Sequence, residues 1–235
     1  MPDVPIVLTC ADYARIMALA TGEVKPEGIA LTLLLGSRGS WPARAEMLRR
    51  AVQDPAVHGG EWSMAQYLYR IDKGDRTLVG LAVFPLRNFT ARDLYVRRGG
   101  PIRKPADLAG QRIGMYSYTA SGSIWYRHFL RFIGVDPASI QWWIGDIDTP
   151  WSAAPMDQTL PAGVNTAPKG RSLSEMLIAG ELEATAAVMG DDFHPYGLER
   201  NRGQLEMFAG EAFRLGLTSR RITPDEYFAD YLAAA

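Results

Sequence analysis

Residues 112–134 read RIGMYSYTASGSIWYRHFLRFIG, and this stretch decides the fold. Arg112–Met115 is a short β-prone run. Ser117–Ser123 is a Ser/Gly segment, and the residues after it read as a helix ending near Gly134. Ile140–Ile144 follows as a further strand. A strand, a small-residue loop, a helix and another strand imply parallel pairing, because parallel neighbours need a crossover.

The same alternation extends in both directions. Toward the N-terminus, Ile6–Thr9 is a β-prone run, followed by a helix through Tyr13–Ala20 that Gly22 stops. Ile29–Leu35 is a strand ended by the turn Gly36–Ser40. Ser40 can cap a helix with Pro42 near its first position, running through Met47 to about Val52. Val57–Gly60 is a brief strand or turn. Trp62, Ala65, Leu68 and Tyr69 stand at helical spacing within Trp62–Ile71, and Lys73-Gly74-Asp75 ends that helix. Leu78–Phe84 (LVGLAVF) is nearly continuous apolar sequence, as expected of a parallel strand covered on both faces.

Beyond it, Asp93–Arg97 is a strand and Pro105–Leu108 a short helical turn. Pro150–Gly170 holds four prolines and little periodicity, so it reads as a long loop. Leu173–Ala179 is helical and Glu183–Val188 a strand. The tail has two helical segments, Leu198–Arg214 and Pro224–Ala233. The expected architecture is α/β with mainly parallel sheets in two lobes, and ligands outside the carboxyl ends of the strands. The lobes are expected at 1–90 with 196–235, and at 91–195, with Arg87–Arg98 crossing between them.

Composition narrows the function by exclusion. The 235 residues carry a formal net charge of −1, too little excess of Lys and Arg for a nucleic-acid partner. The single Cys10 excludes an intramolecular disulfide framework. No apolar run approaches the ~20 residues that span a bilayer. MPDVPIVLTC is acidic and broken by prolines, unlike an export signal, so the expected location is the cytoplasm.

Four segments can meet an anion. Gly36–Ser40 enters a helix and carries Arg38, yet lacks the lysine of a phosphate-binding loop. Gly60–Ser63 enters the next helix, where Ser63 either donates to a ligand oxygen or caps the helix. Ser117, Tyr118, Thr119 and Ser121 lie before a helix N-terminus, either as an anion cradle or as a serine-rich cap. Arg87 and Arg92 can bind a carboxylate through two parallel hydrogen bonds, or be solvated or paired with Asp93. His194, beside Asp191 and Asp192, is the candidate acid or base because histidine titrates near neutral pH. His58 and Glu61 are spaced H-x-x-E, His128 lies within an apolar helix, and Cys10 has no evident His partner. No zinc spacing, G-x-S-x-G or G-x-G-x-x-G occurs, so neither a metal nor a cofactor is expected.

Several stretches together carry a resemblance: TGEVKPEGIALTLL, GEWSMAQYL, LAVFPLRNF, IRKPADLAGQRIGM, LSEMLIAGELEA and GDDFHPYGLERNRGQLEMF. In this order the chain resembles the 4,5-dihydroxyphthalate decarboxylase family, related to type 2 periplasmic binding proteins. The resemblance implies a two-lobed fold of that type with a cleft for a small anion. It also implies cofactor-free loss of one carboxylate from an aromatic diacid, giving protocatechuate. Arg87 and the Ser117–Ser121 loop would hold the retained carboxylate, with His194 as the acid. Two departures stand out. Thr90 and Ala91 occupy positions where the family carries a basic residue and a histidine. The strand at Glu183–Val188 also runs almost directly into Met189–Gly197, so the second lobe or hinge is expected to be reduced. The alternatives are a non-catalytic small-anion binding protein of the transporter type, or an inactive shortened relative. The shortening leads us to expect a homo-oligomer joined near Glu183–Pro195 or Pro224–Ala233, because removing a return strand exposes an edge or an apolar face.

Overall fold

The computed structural model of the chain describes residues 2–36, 41–86, 94–152, 160–186 and 198–234. In chain order the elements are β1 (Val4–Ala11), α1 (Met17–Ala20), β2 (Ile29–Gly36), α2 (Trp41–Gln53), β3 (Gly59–Gly60) and α3 (Met64–Asp72). There follow β4 (Leu94–Val96), β5 (Arg112–Met115), α4 (Ser121–Phe132), β6 (Gln141–Ile144), β7 (Asn165–Thr166), α5 (Leu173–Ile178) and β8 (Ala184–Ala186). The tail holds α6 (Leu198–Arg214), α7 (Pro224–Tyr227) and α8 (Ala229–Ala234). The fold is α/β with mainly parallel sheets.

The chain divides into two compact units. Of the described residues, 2–36, 41–86, 198–201 and 225–234 form the first, and 94–152, 160–186 and 202–224 the second. The lobe assignment from sequence put the whole of 196–235 with the first unit. Residues 202–224 pack in the second for a side-chain reason. Phe208 is buried with its ring 5.2 Å from that of Trp125. Fully buried Glu211 is ion-paired with Arg131 and Arg214.

In the first unit the described strands lie in the order β2-β1-β3, all parallel. The β1–β2 register runs from Val4↔Ile29 to Ala11↔Gly36, so apolar alternation along both strands meets in step. Gly60 comes so close to β1 that a Cβ there would lie 2.1 Å from Thr9 Oγ1. Only glycine fits. Helix α3 buries Ala65, Leu68 and Ile71 at intervals of three, with Tyr67 beside them. Ser63 is its N-cap, accepting from the Gln66 N–H, so Trp62 precedes the helix instead of opening it. Tyr227 closes over this helix, donating to the Met64 carbonyl at 2.8 Å with its ring 4.8 Å from that of Tyr67.

Leu78–Phe84 is not the covered parallel strand that its apolar run suggests. It pairs with no described strand, and Val79, Leu81 and Val83 are 56%, 60% and 56% exposed. The Tyr67 hydroxyl takes the place of a strand neighbour, accepting from the Gly80 N–H at 2.8 Å and donating to the Leu78 carbonyl. The run of aliphatic residues shows that burial would be favourable. It does not supply the neighbouring strand.

The second unit has the strand order β4-β8-β5-β6-β7, parallel except that β4 runs antiparallel to β8. Ile113, Met115, Ile144, Tyr126, Leu130 and Trp142 form the heart of its core, all nearly inaccessible to water. Burying each such side chain contributes roughly 1.5–3 kcal/mol. Pro150–Gly170 is not wholly a loop, since β7 within it pairs with Trp143 and Ile144. Two polar residues of β-structure leave no apolar pattern to read. Arg112 fastens the opposite end of the sheet, its guanidinium paired to Glu183 at 2.5 Å and its N–H to the same carboxylate at 2.9 Å.

Candidate functional site

The carboxyl ends of β5 and β6 deliver the most suggestive geometry. From Met115 at the end of β5 the chain enters the half-buried loop 116–120, then α4. Ser117, Tyr118, Thr119 and Ser121 are thereby brought together at one helix N-terminus. The serine-rich cap allowed by the sequence is not formed. The N-cap is Ala120, which has no side-chain oxygen, and Ser121 is already the first helical residue. The first-turn N–H groups of a helix have no carbonyl partner within it. With no side-chain cap, this end of α4 keeps its partial positive charge available to an anion.

Arg127 fixes the loop from behind. Only 1% exposed, it donates through Nε to the Ser123 carbonyl at 3.1 Å and through Nη2 to the Tyr118 carbonyl. Its guanidinium carbon lies 3.8 Å from the centroid of the Tyr118 ring, a stacked cation–π contact. Burial lowers its pKa to about 10, which leaves it cationic at neutral pH. Tyr118 is thus an anchor as well as a loop residue. Within α4, Ser123 Oγ, Tyr126 Oη and Arg127 Nη1 are buried without a partner among the described residues, as is Thr185 Oγ1 on β8. A buried polar group normally finds a partner, so each of these is unfinished business for the fold.

Asp146 stands at the end of the neighbouring strand, and no motif in the sequence marked it. The β5–β6 register pairs Met115 with Ile144, and the Gly145 N–H donates to the Met115 carbonyl at 3.3 Å. Asp146 therefore follows β6 beside the start of the Ser117–Ser121 loop. Its carboxyl is half-buried and has no hydrogen bond or ion pair with a described residue. Loss of water raises its pKa. The available signal was a Gly-Asp pair directly after an apolar strand, a pattern too common to single out.

The first unit carries a buried polar cluster at the carboxyl ends of β1 and β3. Buried Glu61 accepts from the Ala11 N–H at 3.2 Å, from the Tyr13 hydroxyl at 2.8 Å and from Arg44 at 2.7 Å. Arg44 also donates to Tyr13 Oη at 2.9 Å. Cys10 lies against the same carboxylate, and burial with the Glu61 charge pushes its thiol up to about 12. It is a packed thiol rather than a nucleophile. His58 does not meet Glu61, because its Nδ1 accepts the Val7 N–H at 3.0 Å. Ser63 serves α3 as its cap, the local role that the sequence allowed.

Arg38, Arg87, Arg92 and His194, with Asp191 and Asp192, lie outside the described residues. His128 is partly buried, 4.0 Å from Glu211, and burial with Arg214 and Arg131 lowers its pKa. Among the described residues no three His, Cys, Asp or Glu side chains are grouped to hold a metal ion, and no helix is long and apolar enough to cross a membrane.

Fold and site together define an α/β protein with mainly parallel sheets and an anion-attracting helix N-terminus at a sheet's carboxyl edge. No family model matches the chain. It is 30% identical over 186 residues to the 4,5-dihydroxyphthalate decarboxylase of Comamonas testosteroni, covering 78% of this chain and 54% of that protein. It is 29% identical over 180 residues to the 4,5-dihydroxyphthalate decarboxylase of Pseudomonas putida, covering 75% and 67%. The chain is thus similar in sequence to two 4,5-dihydroxyphthalate decarboxylases, and its match spans about half the length of the Comamonas protein. Among solved structures it is similar to the periplasmic aliphatic sulphonate binding protein SsuA of Escherichia coli, with a TM-score of 0.48 and 16% identity over 99% of this chain and 84% of that one. The alkanesulfonate-binding protein SsuA of Xanthomonas axonopodis pv. citri, bound to MOPS, matches with a TM-score of 0.42 and 13% identity over 79% and 55%.

Proposed function

We propose that the chain is a cofactor-independent decarboxylase of a hydroxylated aromatic dicarboxylate of the 4,5-dihydroxyphthalate kind, releasing carbon dioxide and protocatechuate. The observation that carries this reading is the uncapped N-terminus of α4, entered from a loop of hydroxyl residues. The names of the two relatives supply the reaction class. Ser117, Thr119 and Ser121 hydroxyls and the first-turn N–H groups of α4 would hold the carboxylate that stays on the ring. Arg38, Arg87 and Arg92 are the guanidinium donors that the sequence offers for a carboxylate.

The reaction places one proton on the ring carbon that bears the departing carboxylate. A hydroxyl para to that carbon donates electrons into the ring and stabilises the resulting cation. The carbon–carbon bond then breaks, its electron pair restores aromaticity, and carbon dioxide leaves. The protein's task is to orient the diacid and supply an acid; His194 is the candidate that the sequence offers, outside the described residues. A second copy of the chain is the macromolecular partner proposed with it. Incubating the purified protein with 4,5-dihydroxyphthalate tests the reading directly. Equimolar carbon dioxide and protocatechuate are expected. Tight binding of the diacid without either product would replace the enzyme by a small-anion binding protein.

A further inference from the structure

We propose that Asp146, at the carboxyl end of β6, is the group that delivers the proton to the ring carbon; the assignment rests on the decarboxylase reading. The argument starts from placement. Asp146 follows the strand paired to β5, whose own end opens into the Ser117–Ser121 loop. A carboxylate held at the N-terminus of α4 therefore brings the attached ring to the edge where Asp146 stands.

The backbone at Asp146 is held firmly. A Cβ on Gly145 would lie 2.7 Å from that of Ala167, so the strand end is wedged against β7. The Asp146 carbonyl accepts the Leu173 N–H and the Ile147 carbonyl the Ser174 N–H, both at 2.9 Å. Those donors belong to the start of α5, fixed in turn by the reciprocal bonds of Ser172 and Glu175. The chain thus holds the Asp146 backbone firmly and gives its carboxyl no partner among the described residues.

Asp148, Glu175 and Arg171 are otherwise engaged. Asp148 accepts from Ser174 Oγ at 2.6 Å, Glu175 accepts the Ser172 N–H, and Arg171 pairs with Glu181 at 2.9 Å. Lys169 lies in the same connection between β7 and α5, and Tyr116 at the end of β5. None of these contributes to the shift at Asp146, which desolvation alone drives upward. Asp54, Asp75 and Asp107 move the other way, each held low first by donated hydrogen bonds. A bound dianion would push Asp146 further up by like-charge repulsion. An acid is what the reaction needs.

The step balances without a co-reactant. The protonated Asp146 carboxyl forms the new C–H bond and becomes carboxylate. The ring's C–C bond to the departing group breaks, its electrons return to the ring, and carbon dioxide leaves. Solvent reprotonates Asp146, so one proton is consumed per turnover.

The test compares wild type with Asp146→Asn, Asp148→Asn and His194→Gln, using 4,5-dihydroxyphthalate and following carbon dioxide, calorimetric Kd and melting temperature. Asp146→Asn should lower kcat by about 10²–10⁴-fold, the usual contribution of a positioned acid. Its Kd should stay within about three-fold, because the amide keeps the shape of the carboxyl. The wild-type rate should fall as pH rises through the Asp146 pKa, and this limb should vanish in the variant. A raised folded pKa favours the protonated form, so the carboxylate weakens the fold at neutral pH. The variant should therefore melt at or above wild type there, with the difference closing in acid. Asp148→Asn should leave kcat unchanged. Near-normal turnover in Asp146→Asn, equal loss in Asp148→Asn, or loss confined to His194→Gln would overturn the assignment while the decarboxylase reading stands. No carbon dioxide from wild type would overturn both.

Discussion

In the first unit the buried Glu61 carboxylate takes donors from Ala11, Tyr13 and Arg44. In the second unit Ser123, Tyr126, Arg127 and Thr185 bury polar atoms that no described residue satisfies, and α4 starts without a side-chain cap. The Glu61 cluster and the N-terminus of α4 both follow the carboxyl ends of parallel strands, where such folds bind their ligands. The difference separates two uses of one position. A satisfied network holds a turn in place, whereas donors left over beside an uncapped helix have capacity for an anion. Both units also leave apolar side chains in water, Val79, Leu81 and Val83 in the first and Phe132 and Ile178 in the second.

The largest effect should come from opening the Glu61 cluster. Glu61→Ala would leave Arg44 and the Tyr13 hydroxyl without their acceptor in a largely buried place. Breaking such a pair costs about 3–5 kcal/mol, read as a lowered urea midpoint. A loss below about 1 kcal/mol would mean that the cluster is solvated, and the contrast between the units would fail.

The smallest effect should come from the exposed aliphatic edge. Leu81→Lys changes a side chain that already faces water, so stability should shift by no more than about 0.5 kcal/mol. A loss of several kcal/mol would show Leu78–Phe84 to be the covered strand that its sequence suggests.

Much of the fold was legible in the sequence because strand and helix patterns are local. The strands at Ile6–Thr9 and Ile29–Leu35, the helix after Ser121 and the helix at Leu173–Ala179 all follow from apolar patterning and small residues. Leu78–Phe84 was misread because an apolar run records a preference for burial but not whether a strand lies alongside. The two residues of β7 were invisible because so short a strand has no period. At the site, the Ser117–Ser121 loop could be read from its hydroxyls, but the choice between cap and cradle could not. That choice depends on whether Ala120 or Ser121 takes the extended backbone of the N-cap. Asp146 stayed hidden because its character comes from burial and from the absence of donors, both properties of packing.

The central claim is that the N-terminus of α4 holds the carboxylate of the ligand, and Ser121→Asp tests it most directly. An acidic residue in the first turn complements the helix dipole, so the variant should fold as stably as wild type, or up to about 1 kcal/mol better. The same charge would occupy the place of the ligand's carboxylate and repel it. Calorimetry with 4,5-dihydroxyphthalate should show affinity weakened by at least about ten-fold, equivalent to about 1.4 kcal/mol. An unchanged Kd in the folded variant would contradict the account.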